Sequence, residues 1–196
     1  MHRADPDRCS RSTGRLARLD LVAHGTAIVG CTMGGMLLES VVLMAAAMNH
    51  VASTGFWLLI SERSGEPPCS WSRGAMFSAM QLILWTCCVL LAICVTALGA
   101  HGVFHAEPLD YAAMAAYAAP GAIAAVTTAA RTCWPVHAGL GAKADAFLSA
   151  TPTVIALCIA IGAAGVDAGR VDAFAGLVVV LLLCVRTLIY VGRVLD

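Results

Sequence analysis

The stretch LVAHGTAIVGCTMGGMLLESVVLMAAAMNHVASTGFWLLI, Leu21 to Ile60, decides the fold class. Among its forty residues Glu39 is the only side chain charged at neutral pH. A transmembrane helix needs about 20 apolar residues, so one crossing fits here with length to spare. Five arginines, Arg3, Arg8, Arg11, Arg15 and Arg18, stand before the stretch, and a polar segment, Ser61 to Arg73, follows it. A basic arm beside an apolar run marks the cytoplasmic side, so the N-terminus is expected there.

Composition points the same way. With 60% hydrophobic residues, 12% charged residues and a mean hydropathy of +0.83, the chain has too little polar surface to cover a water-soluble globule. Twelve basic residues balance twelve acidic ones, so no charge excess calls for nucleic acid. The partners expected are the lipid bilayer and other membrane proteins, or a second copy of the chain. Six of the nine cysteines (Cys31, Cys87, Cys88, Cys94, Cys158, Cys184) fall in apolar segments, where they act as small soft apolar groups. No CxxC pair occurs, which argues against zinc or redox work. A cleavable leader is not expected either, because Leu21 to Met48 is about twice the usual apolar core of a signal peptide.

Residues 1 to 20 read as a basic, disordered arm, and residues 21 to 196 as a single transmembrane helical domain. Helices are expected near 27–48, 74–100, 111–130, 146–165 and 173–191. The third is rich in alanine and carries Pro120 and Gly121 at its centre, which makes it marginal as an independent span. Five crossings divide the basic residues six to six, whereas a re-entrant third segment divides them nine to three. The fold class is therefore an all-α integral membrane protein, a bundle of four or five hydrophobic helices with short loops.

An acid deep in a membrane marks a functional or structural contact. Glu39 lies about 28 Å of helix beyond Asp20, and with five crossings Arg186 reaches a comparable depth. Glu39 and Arg186 are thus the candidate intramembrane polar pair. Gly30 and Gly34 form a GxxxG spacing, and Gly35 shares a stripe with Cys31 and Glu39. Small residues four apart let two helix backbones approach, so these glycines are the candidate packing positions.

His101 and His105 stand one turn apart with Glu107 and Asp110 nearby, a spacing two metal ligands could share. No third compact ligand accompanies them, so no metal and no cofactor are assigned. His105 and Asp110 also fit an HxxxxD spacing that resembles the catalytic pair of glycerolipid acyltransferases. The loops, 7 to 15 residues long, leave no room for that family's soluble domain, so an enzyme is not expected.

Two fragments, Leu38 to Val42 and Val185 to Val191, resemble pieces of the small multi-span envelope protein that accompanies glycoprotein K in alphaherpesviruses. That resemblance implies a viral envelope, assembly or egress role. Two functions stay open: a non-enzymatic assembly or trafficking partner of other membrane proteins, or a small channel or transporter using Glu39 and Arg186.

Overall fold

A computed structural model describes residues 6–64, 75–104, 109–132, 140–165 and 167–195. These residues form six helices and no strand: α1 (Pro6–Leu37), α2 (Val41–Ser64), α3 (Ala75–Phe104), α4 (Tyr111–Thr132), α5 (Leu140–Ala163) and α6 (Ala168–Leu195). Six replaces the expected four or five because the opening stretch is two helices rather than one. As a single helix, forty residues would measure about 60 Å, twice the thickness of a hydrocarbon core. Folding back on itself halves that length. α1 also extends back to Pro6, into the segment read as a disordered arm.

The fold-back is made by Leu38, Glu39 and Ser40. The amide of Ser40 donates to the Gly35 carbonyl at 3.0 Å, and Glu39 between them has φ of 52°. That combination is a Schellman ending, with Glu39 in the left-handed position glycine usually takes. Ser40 then starts α2, accepting from the amide of Leu43 at 3.4 Å through its hydroxyl.

α2 is the axis of the bundle. Every residue from Val41 to Gly55 is buried. α2 packs against α1, α3, α4, α5 and α6, which follow one another around it in the order α1, α4, α5, α6, α3. An apolar helix with no polar face belongs in such a position.

The helices alternate in direction. Val41 at the start of α2 meets Gly99 near the end of α3 and Gly176 near the start of α6, while Tyr111 at the start of α4 meets Gly162 at the end of α5. One end of the bundle thus gathers three helix starts. Asp110 caps α4 through the amides of Ala112 and Ala113, both at 3.0 Å, and Asp167 caps α6 through the amide of Arg170 at 3.4 Å.

α1 and α4 are in close contact because α1 presents small residues. A methyl group on Gly34 would lie 2.5 Å from Cβ and Cγ of Tyr117, and one on Gly30 would lie 3.3 Å from Pro120 and from the Tyr117 carbonyl. Gly35 faces the other way, against Met44 of α2.

The outer surface is apolar. Leu19, Val22, Val29, Met33 and Met36 on α1, Ile83, Val89, Leu90 and Ile93 on α3, and Phe174, Leu177 and Leu181 on α6 are all exposed. Ile123, Val126, Leu157 and Ile161 continue that surface over α4 and α5. By length and apolarity alone, one described run, Tyr111–Ala129, is sufficient to cross a membrane; Val41–Gly55, Thr86–His101 and Thr151–Ala163 are shorter. It is the segment that composition had marked as marginal.

Two substitutions test this packing. Gly34→Ala should lower stability by about 1–3 kcal/mol through overpacking against Tyr117, whereas Gly25→Ala, with nothing within 4 Å, should be neutral or stabilising; thermal unfolding of the purified chain separates them. Glu39→Gly should raise stability by up to about 1 kcal/mol, because it removes the left-handed penalty. A loss on that change would show that the Glu39 side chain holds something the turn geometry does not require.

Candidate functional site

The interior inverts the exterior. Asp20, His24, Asn49, His50, Ser53, Thr54, Thr128, Thr151, Asp172 and Arg186 are all buried, Arg186 at 2% exposure and His50 at 1%. Polar groups withdrawn from water must find partners nearby: Thr54 donates to the His50 carbonyl of its own helix at 3.0 Å, and the others join three connected sets.

The first set joins α1, α2 and α4. Asp20 and His24 stand one turn apart on α1, and Thr127 and Thr128 meet them from α4. Thr128 donates its hydroxyl to Oδ1 of Asp20 at 2.8 Å, and Thr127 reaches the same oxygen at 3.2 Å. Nε2 of His24 lies 3.0 Å from the Thr128 hydroxyl and 3.7 Å from Oδ1 of Asp20. On its other side, Nδ1 of His24 meets Nδ1 of His50 at 3.2 Å, with the two rings edge to face at 64°. A methyl group on Gly121 would lie 3.0 Å from Nε2 of His50, so the ring is packed closely against the backbone of α4 at this glycine.

The second set joins α2, α5 and α6. Arg186 donates from one terminal nitrogen to Oγ of Ser53 at 2.6 Å and to Oδ1 of Asn49 at 3.3 Å. The Asn49 amide donates in turn to the Thr151 hydroxyl at 2.6 Å. Asn49 and His50 are neighbours on α2, so the two sets form one polar layer across five helices. Its α2 members lie about 12 to 18 Å from the start of α2, a helix about 36 Å long, and therefore near mid-bundle, while Asp20 extends it to about 26 Å along α1.

The third set is at the end of the bundle. Asp172 of α6 reaches over the start of α2, where its carboxylate accepts from the Ser40 hydroxyl at 2.7 Å and from the amides of Val41 at 2.5 Å and Val42 at 3.3 Å. A carboxylate is well matched to this place, since unpaired amides and the helix dipole both favour negative charge.

The sequence-derived candidates are distributed differently from expectation. Glu39 is exposed in the turn, and Arg186 is anchored at Asn49 and Ser53, about 14 Å further along α2. The structure does not bring Glu39 and Arg186 together. Gly30 and Gly34 face α4, and Gly35 faces α2. His101 is exposed on α3; His105, Glu107, Cys69 and Cys133 lie outside the described residues. Among the described residues no group of three His, Cys, Asp or Glu side chains is placed to hold a metal ion.

Asp20, His24 and His50 were missed by a charge count, because a histidine is tallied as neutral and Asp20 precedes the uncharged stretch by one residue. The available signal was spacing: an acid and an imidazole at i and i+4, followed by a second imidazole inside an apolar run. Compared with known protein families, characterised proteins and solved structures, the chain matches none.

The Asp172 cap makes a quantitative claim. Asp172→Asn should cost about 2 kcal/mol, since hydrogen bonds to a charged acceptor are worth about 1.5–3 kcal/mol each and the amide can replace only part of the set. Asp110→Asn should change stability by less than about 0.5 kcal/mol, because asparagine caps a helix as well as aspartate does. Equal losses in thermal unfolding would show that Asp172 is an ordinary cap.

Proposed function

We propose that the chain is a six-crossing α-helical membrane protein, with its N-terminal arm on the cytoplasmic side, that works as a small transporter through the polar layer at mid-bundle. The observation that carries this reading is the inversion just described: an apolar exterior on all five outer helices around a layer holding Asp20, His24, His50, Asn49 and Arg186. In lipid, buried ionisable groups are expensive, and they mark ion, proton or substrate pathways.

Charge supports the orientation. With α1 to α6 alternating, Arg3, Arg8, Arg11, Arg15, Arg18, Arg63, Arg73, Arg131, Lys143 and Arg193 belong to one side, ten of the twelve basic residues. The other side holds Arg170, and Arg186 is inside. The bias is far stronger than five or four crossings give, and it follows the positive-inside rule. Arg18 to Leu37 spans about 29 Å of α1, a match to the hydrocarbon core.

The assembly-partner reading is weakened by the same geometry. Its contact points were Gly30, Gly34 and Glu39, and the two glycines are occupied by α4 of the same chain. The resemblance to a viral envelope protein gains no support from the comparisons.

Thiol labelling in intact cells tests the topology, and flux tests the function. An impermeant maleimide should label Glu39→Cys and Asp167→Cys from outside, but Cys69 and Cys133 only after permeabilisation. External labelling of Cys69 or Cys133 would reject six crossings with this orientation. Liposomes containing the purified chain should dissipate an imposed ion gradient faster than protein-free liposomes. Equal rates over a panel of protons, sodium, potassium and chloride would reject transport.

A further inference from the structure

We infer that His50, His24, Thr128 and Asp20 form a proton-binding relay, with Nε2 of His50 as the receiving atom and the Asp20 carboxylate as the delivering end. This deepens the transport reading and rests on it for the direction of flow. The proton site itself rests only on hydrogen-bond geometry.

With Asp20 a carboxylate and both rings neutral, one hydroxyl sets the bonding sense of the chain. Thr128 has a single hydrogen, and it is directed at Asp20 Oδ1 over 2.8 Å. Its contact with His24 must then be donated by the ring, so Nε2 of His24 carries a hydrogen. With that ring neutral, Nδ1 of His24 is a bare acceptor, and the hydrogen across the 3.2 Å contact belongs to Nδ1 of His50. Nε2 of His50 is left as a lone pair, and it is the nitrogen packed against Gly121 of α4, a helix position that carries no side chain. One side chain after another is thus aligned as donor then acceptor, from the middle of α2 to the basic end of α1. Measured along the helices, His50 lies about 14 Å and Asp20 about 26 Å from the end where α2, α4 and α6 start, so the relay covers about 12 Å of depth.

Transfer of one proton balances without any other reactant. A hydronium ion gives a proton to Nε2 of His50 and leaves as water. His50 passes the hydrogen on Nδ1 to Nδ1 of His24, His24 passes the hydrogen on Nε2 to the Thr128 oxygen, and Thr128 passes its own to Asp20. The product is a carboxylic acid at Asp20, with both rings neutral again and both in the opposite tautomer. Among the described residues, the charged groups acting on His50 are Asp20 from α1 and Arg186 from α6, Cys31 of α1 lies beside the same Gly121 position, and α4 brings Thr128 to His24.

The double tautomer exchange is the signature a merely structural network would not give. Solid-state NMR of the full chain in lipid bilayers, labelled with nitrogen-15 at histidine and assigned with His24→Gln and His50→Gln, reads it directly. At neutral pH His24 should carry its hydrogen on Nε2 and His50 on Nδ1. On acidification both should switch tautomer together, with neither becoming imidazolium in the process. Thr128→Val should abolish the joint switch, whereas Thr128→Ser and Thr127→Val should keep it. Finding the hydrogen of His50 on Nε2 at neutral pH, or His50 titrating alone to imidazolium, would overturn the relay.

Proton flux into liposomes, driven by a potassium diffusion potential and read with an internal pH dye, supplies the second arm. Thr128→Val should lower the rate at least tenfold, and Thr128→Ser and Thr127→Val should stay within twofold of the unmodified chain. An unmodified rate equal to that of empty liposomes, with the tautomer exchange intact, would sink the transport reading and leave the proton site standing. A Thr128→Val rate within twofold of the unmodified chain would sink the relay as the conducting path.

Discussion

α2 has no face turned outward between Val41 and Gly55, so each polar group it carries has to be answered from within the bundle. An unanswered amide or side chain there would cost about 1–3 kcal/mol. The other helices are arranged around that obligation. Asp172 of α6 meets the start of α2, Thr151 of α5 and Arg186 of α6 meet Asn49, and His24 of α1 meets His50. The polar contacts fix which helix stands beside which and at what height, a specificity that apolar packing alone supplies less sharply.

The same layer is arranged around two opposite charges. Arg186 approaches from α6 and Asp20 from α1, and His50 stands where both act on it. A buried cation without a counterion nearby would be severely destabilising, and a layer containing one acid and one base needs no net charge in the interior. Neutral imidazoles between them can exchange hydrogens without altering that balance. This is the physical reason for treating the first and second sets as one site.

Much of the architecture was legible in the chain, and the failures have identifiable causes. The helical class and the positions of α3, α4 and α6 follow from uncharged runs bounded by polar residues. The division of Leu21 to Ile60 was hidden because the turn contains neither glycine nor proline between Gly35 and Val41; a glutamate occupies the left-handed position instead. Reading Glu39 as an acid inside a continuous helix then created the need for a partner, and Arg186 was the nearest cation by depth. Arg186 instead meets Ser53 and Asn49, 133 and 137 residues away in sequence, and uncharged polar side chains inside an apolar run gave no signal in a charge count. His24 and His50 are 26 residues apart on two antiparallel helices, so their meeting depends on the very turn the pattern concealed.

The carboxylate over the start of α2 also bears on how the molecule is made. Ser40 and its helix emerge during synthesis about 130 residues before Asp172, and Asn49 and Ser53 about as long before Arg186. Until α6 arrives, the central rod sits with its leading amides lacking the carboxylate over them and with Asn49 and Ser53 lacking the guanidinium. The polar contacts of the central helix are therefore completed by the final helix rather than by the first hairpin. A nascent product halted before α6 differs from the finished protein by a defined chemical defect along its central helix.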